Sequence, residues 1–107
     1  MRTYNLTKSL LEKNEKSLVI VDDSHKYFVN NSYKTIILIQ AIAEDMQEAK
    51  DPQELMGCMN KIIAQAIGQE GADYIASLDL SVEATNYLVE NLINAVKGTD
   101  EKDDGKN

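Results

Sequence analysis

The chain has 107 residues, enough for one domain, and a domain of that length buries roughly two-thirds of the surface its unfolded form exposes. Eighteen acidic against eleven basic side chains leave a formal charge of -7, which repels phosphate backbones and anionic membranes and so argues against both as partners. One His, one Cys and no Trp leave little with which to do chemistry.

In chain order, Leu6 to Asn14 can form a short lead-in helix with Leu6, Leu10 and Leu11 on one face. Leu18-Val19-Ile20-Val21 and Tyr27-Phe28-Val29 are β-prone, and the Asp22-Asp23-Ser24 turn between them predicts a hairpin. Two strands alone are marginal in water, so the hairpin must pack on helices or be extended by a strand from another chain.

A helix capped by Asn31 or Ser32 should then run to about Ala49. Thr35 to Ile39 has strand propensity, but Ile36, Ile39, Ile42, Ala43, Met46 and Ala49 recur at helical spacing. Its first half is apolar on nearly every side, either the centre of the fold or a surface awaiting a partner. The next helix has the clearest start: Asp51 caps, Pro52 takes the first helical position, and Glu54 is placed to complete a capping box.

Leu55, Met56, Met59, Ile62, Ile63, Ala66 and Ile67 mark its apolar stripe, and Gly68 is a stop. A short helix over Asp73 to Leu78 should follow Gly71. Ser81 then caps a last helix whose buried face is Val82, Leu88, Val89, Leu92, Ile93 and Val96, up to Gly98. The fold class is α+β and mostly α: residues 1–98 form a hairpin packed on about four short helices, and residues 99–107 a disordered acidic tail without an apolar residue.

Motifs that carry chemistry mostly fail on inspection. Asp22, Asp23, Ser24 and His25 set the residue types of a hydrolase triad side by side, but hairpin neighbours point to opposite faces, whereas a triad converges from separate segments. They read as turn residues and a surface His. Cys58 has no second Cys and no His at ligand spacing, so it reads as a small hydrophobe; no catalytic group, metal site or cofactor is expected.

Gly68-Gln69-Glu70-Gly71 has the G-x-x-G pattern of RNA-binding KH loops, yet Glu70 would oppose a phosphate there, which leaves a helix stop and turn. A helix-turn-helix drawn over Asp73 to Ala95 would present Glu83 and Glu90, and no Lys before Lys97. The acidic tail lacks the third-position acid of a calcium loop, where Lys102 stands. Nothing near Met1 points to export, and no apolar run approaches the ~20 residues of a membrane helix, so a reducing cytoplasm is the expectation.

Taken together, VIVDDSHKYFVNNS, TIILIQAIAEDMQEA and IGQEGADYIASLDLSVEATNYLVENLINAVKG resemble the small tail assembly chaperones of tailed phages and prophages of Gram-positive bacteria, over about Lys16 to Gly98. The resemblance implies a protein of the host cytoplasm, absent from the mature virion. It would bind the long helical tape measure protein and keep it soluble while tail-tube subunits polymerise around it. In several relatives a ribosomal frameshift appends a tube-recruiting domain, for which the polar stretch from Thr99 would be the linker.

Such a role needs apolar surface, adaptable side chains and like charge, which Ile37, Leu38, Ala41, Met56 and Met59 with the -7 balance could supply. A homo-oligomer is compatible with the hairpin edge and the apolar helix. The alternative is a small acidic regulator or DNA mimic that binds a basic protein. An enzyme ranks last, because Glu44, Asp45 and Glu48 read as a solvated helix face.

Overall fold

The computed structural model describes residues 1–99 and sets the elements in the order α1 (Thr7–Lys13), β1 (Leu18–Asp22), β2 (His25–Phe28), α2 (Tyr33–Gln47), α3 (Pro52–Ser77) and α4 (Val82–Lys97). It is α+β and mostly α, with a single antiparallel hairpin. Of the expected tail only Thr99 is described; residues 100–107 lie outside the described residues.

The hairpin pairs Leu18 with Phe28, Val19 with Tyr27, and Ile20 with Lys26, and an irregularity before Asp22 brings Asp22 opposite His25. The loop is therefore Asp23–Ser24, and Asp22 belongs to the strand, where its carboxylate accepts the Ser24 N–H at 2.9 Å. Val29 lies beyond β2 and is completely buried, its N–H bonded to Ser17 O at 2.8 Å.

Helix, not strand, takes residues 35–39. Ser32 caps α2 by accepting the Thr35 N–H at 3.1 Å, and the buried Thr35 hydroxyl meets the Ser32 hydroxyl at 2.8 Å, so the only buried polar side chain of the described residues is satisfied. At the next cap Asp51 accepts from Glu54 N at 2.8 Å. The reciprocal bond goes one residue further out than a capping box requires: Glu54 takes the N–H of Lys50, at 2.7 Å, and not that of Asp51.

Gly68 ends the helical run that starts at Pro52, as expected, so α3 is two helical runs that meet at a kink. At φ 93°, ψ 163° it occupies a region open essentially to glycine alone, and helix resumes over residues 69–77 instead of beginning at Asp73. The break frees carbonyls of the preceding turn from the helical ladder, and one of them, Ala66 O, accepts the N–H of Asn30 at 2.8 Å, tying the hairpin exit to α3. Three residues on, Gly71 is buried where a Cβ would come within 2.7 Å of Ile67 Cδ1 and 3.4 Å of Tyr27 Cδ1. The two glycines of the G-x-x-G pattern thus have a bend and a packing notch as their structural roles.

Ile39, Ile62, Ile63, Leu92 and Val29 are the most deeply buried large side chains. Each such burial contributes roughly 1.5–3 kcal/mol before the entropy of ordering is charged against it. The pair α2–α3 carries most of the helix packing, α4 lies across both, and the hairpin meets α3 through β2. Val82, expected on the buried face of α4, is 77% exposed, because the first turn of that helix projects past the core.

Candidate partner-binding surface

On α2 the residues Thr35, Ile36 and Ile39 face the core, which turns the opposite ridge outward. Tyr33, Ile37 and Ala41 follow one another at four-residue spacing on that ridge and are exposed. Ile37 is 59% and Leu38 43% exposed, so both expected contact residues are available to a partner. Met56, in the first turns of α3, is 62% exposed.

Met59 corrects the expectation. It is 9% exposed and belongs to the core cluster, because helical spacing puts it on the same side of α3 as the buried Ile62, Ile63 and Ala66. The structure leaves Ile37, Leu38, Ala41 and Met56 as candidates and removes Met59 from them.

A second apolar surface escaped the sequence reading. Val19, Val21 and Tyr27 pack against the core, and the alternation of the strands then points Leu18, Ile20 and Phe28 outward. Leu18 and Phe28 are a directly opposed pair. The signal was present in LVIV, where residues of both parities are apolar: a ribbon with two greasy faces needs cover on both. Beside it, β1 and α4 do not pack closely, and Leu18, Ile20, Tyr87, Leu88 and Ala95 line a groove of about 400 Å³ between them.

One polar cluster also departs from expectation. Asp22 and His25 converge, because the strand irregularity places them opposite each other at the hairpin end. His25 Nδ1 lies 2.9 Å from Asp22 Oδ1; an ionised carboxylate only accepts, so the imidazole donates. Tyr74, from the far segment of α3, donates its hydroxyl to Asp22 Oδ2 at 2.5 Å, and its ring stacks on His25 with centroids 3.5 Å apart.

These donors lower the Asp22 carboxyl to about 2, with the Tyr74 hydroxyl the largest cause and His25 next, and the same bond raises the Tyr74 phenol. Neither Asp23 nor Ser24 contributes a nucleophile to this cluster, which clamps the hairpin to α3. No sequence signal could announce Tyr74, which stands 52 residues from Asp22.

Cys58 is half-buried and free. No group of metal-ligating side chains occurs among the described residues, and no helix among them is long and apolar enough to cross a membrane. Set against family models, curated proteins and solved structures, the chain matches none of them. What it offers by its own geometry is apolar contact area on α2 and on the hairpin.

Proposed function

We propose that this chain is a tail assembly chaperone like those of phages and prophages of Gram-positive bacteria. In the host cytoplasm it binds the tape measure protein through the outer ridge of α2, holds it soluble while tail-tube subunits assemble around it, and stays out of the finished virion. The observation that carries the reading is that Tyr33, Ile37, Leu38 and Met56 stand in solvent on a chain with a formal charge of -7. Large apolar side chains left outside a filled core mark an interaction surface, and an amphipathic helix is the partner such a ridge fits.

Co-expression with a tape measure fragment tests it. The fragment should stay soluble with the wild type and precipitate with Ile37→Asp or Leu38→Asp, while both variants keep their helical circular dichroism because neither site is buried. Equal solubility of the fragment with and without the wild-type chain would remove the proposal. A tape measure gene directly downstream of this one is the expected gene order.

A further inference from the structure

The α1 helix is an apolar element with nothing to cover it. Leu6, Leu10 and Leu11 are 57%, 61% and 69% exposed, the helix buries no residue, and it packs closely on no other element of the described residues. Seven residues of isolated helix are marginal in water, so α1 needs a docking surface to persist.

The groove between β1 and α4 is the complementary vacancy. Its walls carry Leu18, Ile20, Tyr87, Leu88 and Ala95. At a rise of about 1.5 Å per residue α1 is about 10 Å long, and the stretch of α4 from Tyr87 to Ala95 about 12 Å, so the lengths agree. The charges agree as well. Residues 1–16 hold Arg2, Lys8, Lys13 and Lys16 against Glu12 and Glu15, a net of +2, whereas residues 17–99 hold twelve acidic and five basic side chains, a net of -7.

On the helix surface Lys13 borders the leucine stripe, and on α4 Glu83 and Glu90 stand one turn before the groove-lining Tyr87 and Asn94. Residues 100–107, acidic and without an apolar side chain, do not suit the groove.

We propose that residues 1–16 of one copy dock their leucine stripe in the β1–α4 groove of a second copy, in a reciprocal exchange. The arm's own groove is the poorer fit. Ser17 and Leu18 form the wall from which the arm departs, so docking at home requires the chain to reverse within residues 14–17. That link is held in its outgoing course: Asn31 Nδ2 donates to Glu15 O at 3.0 Å, and Asn14 N bonds Leu10 O at 2.9 Å. A two-fold axis beside Ser17 lets each arm cross to the neighbour without a longer linker, and the contact is then made twice. The proposal uses a different face from the α2 ridge and does not depend on the chaperone reading.

Sedimentation of the full chain, with variants on each side, is the test. The wild type should be a dimer. Leu10→Asp on the arm and Tyr87→Asp on the groove, both at exposed positions, should each weaken association at least about tenfold with unchanged helical content. An equimolar mixture of the two variants should recover a dimer, since one intact arm then meets one intact groove. Raised salt should loosen the wild-type assembly. A wild-type monomer at high concentration overturns the proposal, as does an oligomer that Leu10→Asp leaves intact, or a mixture that stays monomeric.

Discussion

Asp22 shows how one carboxylate can hold two elements together. It accepts from Tyr74, His25 and Ser24, and its folded value of about 2 lies below the ordinary 3.8. A group depressed in the folded state stabilises fully above its unfolded value and loses that contribution as pH falls through the folded one. The difference in melting temperature between wild type and Asp22→Asn should therefore be constant at neutral pH and vanish as pH drops from 3.8 towards 2.

Tyr74 behaves in the opposite sense: its phenol is raised above 10.0, so its contribution is full below that pH and fades as the pH climbs through the folded value. Phenolate absorbance should show Tyr27 and Tyr74 both titrating late in the wild type, and in Asp22→Asn the Tyr74 step should move to lower pH, because the bond to Asp22 is the largest cause of its shift. The two methionines separate at this scale too. Met59→Ala should cost about 2–5 kcal/mol in urea unfolding, whereas Met56→Ala, at an exposed position, should stay within about 0.5 kcal/mol.

At the scale of elements, caps and one glycine decide where the helices run. Ser32, Asp51 and Ser81 each accept an N–H from the first turn of the helix they precede, and Asp51→Ala should cost about 1 kcal/mol. Gly68→Ala should cost about 1–3 kcal/mol, since its backbone angles exclude a side chain even though the space around it is open. The readout is again a denaturant midpoint, with the slope unchanged.

Gly71→Ala differs, because its added carbon meets the mobile end of Ile67 and the loss depends on how far that side chain can swing. The α1 helix stands apart from all of these. Its amides should exchange with solvent far faster than those of α3, and should gain protection as concentration rises if a second copy covers it.

Across the whole molecule, the surplus of carboxylates and the uncovered apolar side chains set opposite tests for the two functional readings. Capture of a helix on the α2 ridge should tolerate salt, whereas an acidic mimic seated on a basic protein should release it as ionic strength rises. Binding of a tape measure fragment measured at low and high salt distinguishes them: an affinity that holds supports the ridge, and one that collapses supports the mimic.

Local chemistry was legible in the sequence. The caps Ser32, Asp51 and Ser81, the hairpin strands and the α2 periodicity are written in side chains within a turn of the feature they specify, so they could be read directly. Exposure was not, because a residue on an apolar stripe is buried only if another element arrives above it. Met56 and Met59 belong to one stripe, and only the second is buried in the core; Val82 continues the face of the buried Val89 and stands exposed. The Asp22–Tyr74 clamp and the greasy outer face of the hairpin are likewise products of packing between segments distant in the chain. The sequence by itself determined the elements and their charge. Only the tertiary structure decided which apolar side chains are left for a partner, since burial is a property of pairs of elements and not of either one.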